Sequence, residues 1–417
     1  MSRSLGRLDR HEIAGGLGDA GLFIPIAVAL VAINGLNATA VFAGAGLVYI
    51  ATALFFAVPV PVQPLKAFAA AAIALELDAA TIAAGALLMA LAMGLLVATR
   101  LARWLADRFP LVLVRGIQAA VALLLAKAAI ELAARGNWSG LAPIDAVVGF
   151  ALAAGACALL FLASERSSRF PGSLVVLGGG AVVGIAVSGL PGGLDLGPQQ
   201  VAISIPHGGA FATALTALVI AQLPLTFGNS VVATADAERS YFGGRACRVT
   251  PGRLAASIGL SNLAAGLSAG LPVCHGAGGV TAHYRLGARA AVATIFTGGL
   301  YLTLGVVFGR SLPALLTLLV PGALAGMLGF VAIQHGLLAA RLERLDERLI
   351  AGGVGVVTLA TGNLAIGFGA GVLALAARRG WRRLRPAGAP SPTPGSTVAA
   401  PTEEAYAGSG VDHLVRP

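Results

Sequence analysis

Two short stretches of this sequence combine residues that interrupt helices with polar groups that could bind an anion. The first, VPVPVQPLK at residues 58–66, contains three prolines together with Gln63 and Lys66. The second, LPVCHGAGG at residues 271–279, contains one proline, three glycines and His275. Proline lacks a backbone N–H group and holds the residue before it in extended geometry, whereas glycine lets a ligand approach the backbone closely. Both stretches are therefore expected to break a helix and to present donors at the break.

Each break lies between apolar segments, so the helix that follows it is expected to begin inside the protein. The first backbone N–H groups of a helix carry a partial positive charge and bind anions. Two such helix starts facing each other would form an anion site that requires few cations. The predicted substrate-binding group consists of Gln63, Lys66, Asn229, Ser230, His275, Gly276, Ala277, Gly278 and Gly279. The alternative is that proline and glycine only kink two helices for packing.

Two charged residues in apolar segments could act at or near this site. Lys66 is one of only two lysines in the chain, and a charge at membrane depth costs about 2.5 to 3.5 kcal/mol on insertion scales. Lys66 would add positive potential for an anion, or its side chain would support packing or reach toward the membrane surface. Asp19 is the acidic counterpart. In surroundings of low polarity it could take up and release a proton, or it could form a salt bridge or mark a helix start at the membrane interface.

Neutral polar residues near the breaks complete the set. Asn229 and Ser230 are hydrogen-bond donors suited to an oxyanion, although they could equally form contacts between helices. His275 could bind a substrate or carry a proton. A metal site made by Cys274, His275 and His283 is disfavoured because no carboxylate accompanies these residues. No metal and no cofactor is expected, and no set of nucleophile, base and orienting acid indicates an enzyme.

The composition indicates that these residues lie in a membrane protein. Hydrophobic residues make up 57% of the 417 residues and charged residues only 11%, and the mean hydropathy is +0.86. Ordinary soluble domains are far more polar. The formal net charge of +10 could indicate a nucleic-acid partner, but the charges lie between apolar segments and mostly on one predicted side. The predicted partner is the lipid bilayer, with no nucleic acid.

Fourteen apolar segments are predicted to be membrane-spanning helices, and twelve is the alternative count. They lie near residues 17–34, 38–57, 62–76, 79–98, 111–133, 143–163 and 173–190, then 210–237, 252–270, 276–290, 291–309, 321–340, 349–361 and 363–378. Short cytoplasmic loops collect arginine. With the N-terminus inside, the outer loops contain only Arg135 and Arg310, so both termini are predicted to be cytoplasmic.

The two sets of seven are predicted to be inverted repeats, residues 1–200 and 201–380. Each set has a broken half-helix in corresponding position, the third and the tenth span, and an odd number of spans inverts the second copy. The predicted fold is therefore an all-α membrane protein. The amphipathic segment 101–109 is expected to lie along the cytoplasmic interface. Residues 381–417, rich in Pro, Ala, Gly, Ser and Thr, are expected to form a disordered cytoplasmic tail.

Several of these motifs occur together in a known family. They are GDAGLFIPI at residues 18–26, PVQPLKA at 61–67, NSV at 229–231, and CHGAGG at 274–279 followed by Tyr284 and Arg285. On these motifs the chain resembles the sulfate permease-like molybdate transporter family. The resemblance covers both halves of the chain up to about residue 378.

The resemblance implies a secondary transporter with seven plus seven inverted spans, divided into a core domain and a gate domain as in sulfate permeases and uracil transporters. It implies a homodimer in a bacterial-type inner membrane that imports a tetrahedral oxyanion, above all molybdate, by alternating access with proton coupling. Proton-coupled relatives place an acid in the eighth span where this chain has Asn229. That departure makes Asp19 the candidate for proton coupling.

Alternative functions remain open from the sequence. Sulfate and tungstate are doubly charged tetrahedral anions like molybdate, so either could be the substrate. The same scaffold could form an anion channel. A transporter of neutral nucleobases would require acids at the breaks, where this chain has amides and a cation. An enzyme acting through Cys274 and His275 has no further support from the residues around them.

Overall fold

A computed structural model describes residues 5–18, 20–99, 110–134, 142–166, 172–189, 195–317, 320–340 and 342–384. Asp19 and the segment 101–109 lie outside the described residues. So does the predicted tail, except for residues 381–384. Those four residues continue the last helix, so the helix extends a few residues beyond its predicted end.

The described part of the first half of the chain is mainly helical. Its helices are α1 (Arg10–Gly16), α2 (Ala20–Ala32), α3 (Ala38–Phe56), α4 (Lys66–Ala74), α5 (Ala79–Thr99), α6 (Leu111–Ala134), α7 (Ala142–Arg166) and α8 (Gly172–Ser188). Polar side chains cap several of them: the side chain of Asn37 accepts a hydrogen bond from the Ala40 amide at the start of α3. Such caps satisfy amides that have no partner within the helix.

The second half begins with a continuous helix, Gly208–Ala246, that changes its winding several times. It contains α9 (Gly208–Ala214), a π-helical turn (Leu215–Val219), α10 (Ile220–Leu225), a second π-helical turn (Thr226–Ala233), α11 (Thr234–Phe242) and a 3-10 turn (Gly243–Ala246). Pro224 lies inside α10 and cannot donate a backbone hydrogen bond, and the second π-helical turn follows it directly. Such turns often mark functional sites in helices.

Seven further helices complete the described part of the chain. They are α12 (Pro251–Ser268), α13 (Ala277–Leu286), α14 (Val292–Phe308), α15 (Leu312–Thr317), α16 (Pro321–Ala339), α17 (Leu345–Thr361) and α18 (Leu364–Leu384). A helix lies in each of the fourteen segments predicted from hydropathy, with ends that differ by a few residues. The short helices α1 and α15 were not predicted.

Five described helices are long and apolar enough to cross a membrane by length and composition. They are Ala38–Phe56, Ala79–Thr99, Leu111–Ala134, Asp145–Leu162 and Gly208–Ala246, and two shorter apolar helices are Leu22–Ala32 and Val292–Phe308. The broken segments account for part of the difference from fourteen, because α4 and α13 have only 9 and 10 residues. Half-helices of that length cannot cross the hydrocarbon layer alone.

The two breaks pair with each other. Strands β1 (Gln63–Pro64) and β2 (Val273–Cys274) are antiparallel, with Gln63 opposite Cys274. The helices before the breaks end alike, since α3 is followed by Ala57 and α12 by Ala269, each with a positive φ. A left-handed residue ends a helix because it turns the chain away from the helix axis. The sequence predicted the breaks but not this pairing.

Glycines allow α3 and α14 to pack with their backbones in contact. A Cβ added to Gly46 would lie 2.5 Å from the carbonyl oxygen of Gly298 and 2.6 Å from the amide nitrogen of Leu302. A Cβ on Gly305 would lie 2.5 Å from the amide nitrogen of Ala43. Such contacts are closer than any side chain permits, so small residues set the distance between these helices.

We expect Gly46→Ala to destabilise the protein by about 2 kcal/mol, because the added methyl group must push α14 away from α3. The measurement is thermal unfolding of the purified protein in detergent. Gly44→Ala is the matched control, since Gly44 lies on the same helix and a Cβ there meets nothing within 4 Å. Equal unfolding midpoints for the two variants would contradict the packing argument.

Helix α1 is anchored to the loop that follows α13. The Glu12 carboxylate is buried and accepts hydrogen bonds from the backbone amides of Arg289 and Ala290, at 3.1 and 3.2 Å. Burial raises the pKa of Glu12, and the bonds from these amides oppose the rise. Through this contact the N-terminal segment supports the end of the second half-helix.

Candidate functional site

The paired strands bring the starts of α4 and α13 together. The Leu65 amide donates to the Pro272 carbonyl at 3.0 Å, which extends the contact beyond the two strand residues. The Cys274 thiol lies 3.8 Å from the Pro64 carbonyl oxygen. As a result, residues that are more than 200 positions apart in the sequence form one local structure. The structure therefore brings the two predicted halves of the site together.

Gln63 is at the centre of this arrangement. Its side chain is 2% exposed and lies against the backbone of the second break. A Cβ added to Gly276 would overlap its Oε1, and a Cβ on Gly279 would lie 2.5 Å from its Nε2. The Oε1 atom is buried and has no hydrogen-bond partner within the described part of the chain. A buried polar atom without a partner is costly and points to a ligand or water that is part of the working site.

The two half-helices begin without side-chain caps. The N-cap residues are Leu65 for α4 and Gly276 for α13, and neither has a side-chain hydrogen bond to its helix. In α4 the Phe68 amide is satisfied by Oε1 of Gln222 at 2.9 Å. The dipole of the helix favours an anion at this start. Ala277 is buried, whereas Gly278 is exposed and a Cβ there would meet nothing within 4 Å.

Asn229 and Ser230 lie on the second π-helical turn, next to the second break. The Nδ2 atom of Asn229 would lie 3.4 Å from a Cβ on Gly276, so its amide faces the start of α13. Ser230 is buried and neighbours Cys274. Both side chains were predicted from the sequence as substrate-binding candidates. Their position beside Gly276 is compatible with that role, which stays a prediction.

His275 links the two breaks through both of its ring nitrogens. Nδ1 lies 2.8 Å from the Pro61 carbonyl oxygen, and Nε2 lies 2.9 Å from the Ser257 hydroxyl. The side chain is fully buried, and its backbone carbonyl accepts a hydrogen bond from Thr234 at 2.6 Å. With both nitrogens engaged inside the protein, the imidazole is suited to positioning the breaks. The sequence had offered direct substrate binding as one of its roles.

Lys66 is the first residue of α4 and is half-buried. Its charge acts electrostatically on Cys274 of the second break and on His335 of α16. The ammonium group therefore adds positive potential at the second break. Lys127 differs, because it is about half exposed and forms an ion pair with Glu131 at 3.3 Å.

Sequence reasoning missed the side chains that hold the breaks in place. Asn262 is fully buried, and its Nδ2 donates to the carbonyls of Ile258 and Val273 at 2.8 and 2.7 Å. Its Oδ1 accepts from the Val273 amide at 3.2 Å. Gln222 performs a similar role for α4 through Phe68. Buried amide side chains within apolar helices were the available signal, because such groups require partners.

We expect Asn262→Leu to destabilise the second break and to reduce activity of the folded protein severalfold. The change leaves the amide and carbonyl of Val273 buried without partners, at about 1 to 3 kcal/mol for each group. Thermal unfolding in detergent measures the effect. Ser261→Ala is the control, because the Ser261 hydroxyl bonds to the Ser257 carbonyl of its own helix. A difference below about 0.5 kcal/mol between the variants would contradict this role.

The arrangement has the chemistry of an anion site rather than of a metal centre. No group of three or more His, Cys, Asp or Glu side chains within the described residues could hold a metal ion. The site instead has two helix starts, two neutral amides and a nearby ammonium group. Asp19 lies outside the described residues, so its position is not part of this description of the site.

Comparisons with known proteins agree with this chemistry. The family described as "Molybdate transporter of MFS superfamily" matches residues 11–125 and 214–334, together more than half of the chain. Molybdate transporter 2 of Arabidopsis thaliana is 29% identical over 401 residues, covering 87% of this chain and 86% of that protein. Molybdate transporter 1 of Chlamydomonas reinhardtii is 27% identical over 482 residues, covering 89% and 92%.

Solved structures reveal the same fold in anion transporters. The transmembrane domain of the cyanobacterial bicarbonate transporter BicA matches with a TM-score of 0.64 and 18% identity, covering 87% of this chain and 97% of that domain. The murine anion transporter Slc26a9, in its inward-facing state, matches with a TM-score of 0.58 and 15% identity, covering 88% and 68%. The identities are low, so these likenesses establish the fold alone.

The family and the fold agree with the architecture described above. The chain is a mostly helical, multi-pass membrane protein with the fold of BicA and Slc26a9. Its family is one of transporters and not of enzymes. This chain belongs to the molybdate transporter family.

Proposed function

We propose that this protein imports a tetrahedral oxyanion, above all molybdate, and binds it between the starts of α4 and α13. The observation that carries the proposal is the pairing of two helix starts without side-chain caps, with the buried side-chain amide of Gln63 against Gly276 and Gly279. Backbone amides at two uncapped helix starts would bind the anion oxygens. Lys66 would add long-range attraction without being the only ligand.

The choice of molybdate is supported by the relatives. The curated proteins that match over most of this chain are named molybdate transporters. Sulfate and tungstate have the same charge and shape, and amide donors discriminate weakly among such anions. We therefore expect both to compete with molybdate, with an order that competition for uptake would establish.

Alternating access is supported by the pairing of helices around the site. Helices α3 and α14 pack closely, and so do α5 and α12. With seven spans in each repeat, α3 corresponds to α12 and α5 corresponds to α14, so the repeat symmetry converts one pair into the other. The contacts of α6 with α17 and of α16 with α7 are related in the same way. This symmetry favours fourteen spans in two repeats, residues 1–200 and 201–380, with a core that moves against a gate domain.

The remaining parts of the proposal concern coupling and assembly. Asp19 is the proton-coupling candidate from the sequence, because its carboxyl group would lie in the first span. The protein would act as a homodimer in a bacterial-type inner membrane with both termini cytoplasmic. Exchange of Asp19 for Asn should then weaken accumulation driven by a pH gradient.

The test is uptake of radiolabelled molybdate into liposomes that contain the purified protein. We expect Gln63→Ala and Lys66→Ala each to reduce the initial rate at limiting molybdate by about tenfold, the equivalent of about 1.4 kcal/mol. Lys127→Ala is the matched control, because this lysine is half exposed and pairs with Glu131. Uptake by both site variants at the wild-type rate would refute the proposed site.

A further inference from the structure

Glu238 is a buried acid that the proposed anion site does not use. It lies on α11, and its side chain is completely buried. Both carboxyl oxygens are inaccessible and have no hydrogen-bond partner in the part of the chain that the structure describes. An ionised carboxylate in such a place would lose its hydration without compensation. The side chain is therefore expected to carry a proton in this conformation.

The surroundings of Glu238 are apolar. Helix α11 packs against α13 and against the turns at its own two ends. Ala235 and Phe242, three residues before and four after Glu238 on the same helix face, belong to a buried apolar cluster. Its members are Phe56, Val58, Val60, Ala235, Phe242, Ala246, Val249, Leu254 and Val280. Three of these residues, 56, 58 and 60, belong to the first break or the helix end before it, and Val280 belongs to the second half-helix. The face of α11 that contains Glu238 therefore packs in a cluster to which both breaks contribute.

The titratable and charged groups near Glu238 lie on α11 itself and on the elements that pack against it. On α11 itself Asp236 is half-buried and Arg239 is exposed. The Tyr241 hydroxyl lies 3.3 Å from Thr281, and its ring stacks on Tyr284 of α13. The Tyr241 hydroxyl and the Thr281 hydroxyl are thus within hydrogen-bond distance of each other.

Further titratable groups belong to the elements that pack against α11, and Arg285 on α13 is one of them. His283 of α13 is buried. Arg245, on the 3-10 turn, donates to the Arg289 carbonyl at 2.7 Å. The π-helical turn before α11 contains no titratable side chain.

The helix connects Glu238 to the anion site over a short distance. Thr234 lies one helical turn before Glu238, on the same face, and donates to the His275 carbonyl at the second break. A negative charge one turn from this break would oppose binding of a dianion. A neutral carboxyl group would not. Proton binding at Glu238 and anion binding at the break therefore favour each other, and this coupling is reciprocal.

We infer that Glu238 binds a proton that crosses the membrane together with the oxyanion. The inference rests on the proposed transport function. The carboxyl group takes a proton from water on one side when the anion binds. It releases the same proton to water on the other side once movement of the core hydrates α11, and returns as the carboxylate. Asp19 would bind a separate proton or none, which the exchange of Asp19 for Asn described above distinguishes.

The first experiment separates transport from coupling in liposomes. We expect Glu238→Gln to exchange labelled molybdate across the membrane at a rate near wild type, because glutamine resembles the protonated acid. Accumulation driven by a pH gradient should fall by about tenfold or more. Asp236→Asn is the matched control on the same helix and should keep both activities. Full pH-driven accumulation by Glu238→Gln would overturn the inference, whereas wild-type protein that does not exchange molybdate would overturn the proposed function instead.

A second measurement uses wild-type protein and does not depend on folding of a variant. Dicyclohexylcarbodiimide modifies protonated carboxyl groups in apolar surroundings, and mass spectrometry locates the adduct. We expect modification at Glu238 near pH 6 to 7 and little at Asp236, which lies in the same region of the chain and serves as an internal control. Saturating molybdate should change the extent of modification. An unmodified Glu238 across this pH range would contradict the inference.

Discussion

Gly276→Ala is expected to reduce molybdate uptake by about a hundredfold, the equivalent of about 2.7 kcal/mol. The added methyl group would occupy the place of the Gln63 Oε1 atom, so the glutamine side chain must leave its buried position. Gln63 cannot move freely, because its backbone is paired with Cys274. The methyl group would also stand at the N-cap of α13, where the anion is proposed to approach the backbone.

Two other glycines make this result interpretable. Gly44→Ala adds the same methyl group to a helix position with nothing within 4 Å, and it should transport at the wild-type rate. Gly278→Ala meets no protein atom either, but it lies at the helix start of the proposed site. We expect it to leave stability unchanged and to raise the KM for molybdate. Uptake by Gly276→Ala within about twofold of wild type, at equal protein levels, would contradict the proposed geometry.

The positions of the helices could be predicted because they depend on local properties of the chain. Runs of apolar residues define segments such as Ala38–Phe56, and Asn37 and Ala57 at its ends carry the capping geometry. The breaks were predictable for the same reason, since proline removes a donor wherever it stands. The pairing of Gln63 with Cys274 was not predictable, because nothing local specifies a partner 211 positions away. Register between distant segments is set by packing of the whole bundle.

The site shows the same division between local and long-range information. Gln63, Gly276 and Gly279 were identifiable from residue type at a break, and the structure brings them into contact. Asn262 and Ser257 were not, since their roles exist only because α12 runs beside the second break. These supports depend on contacts that a single sequence does not reveal.

Glu238 shows how a small error at a helix end hides a buried group. The predicted eighth span ends at residue 237, which would leave this acid in a cytoplasmic loop rich in arginine. In the structure α11 continues to Phe242, and the preceding π-helical turns alter which residues face inward. The result is that Glu238 is enclosed beside α13. Helix winding of this kind has no clear signature in hydropathy.

Gln63→Glu should have a larger effect than Gln63→Ala, and the difference isolates the charge of the site. Glutamate has nearly the same size as glutamine, so packing against Gly276 and Gly279 is preserved. Two unit charges 4 Å apart repel by about 4 kcal/mol at an effective dielectric constant of 20, and a dianion doubles this value. We expect the apparent affinity for molybdate to fall by at least about a thousandfold near neutral pH, against about tenfold for alanine.

Binding of molybdate to the purified protein, by calorimetry or by protection against thermal unfolding, measures this difference. Gln118→Glu is the matched control: it makes the same chemical change on α6, where Arg115 already donates to the Gln118 side chain at 2.9 Å. The control should bind molybdate as the wild type does. If Gln63→Glu and Gln63→Ala lose affinity equally, then the anion does not lie within a few ångströms of this side chain. In that case Gln63 supports the breaks only, and the anion must bind elsewhere along the two helix starts.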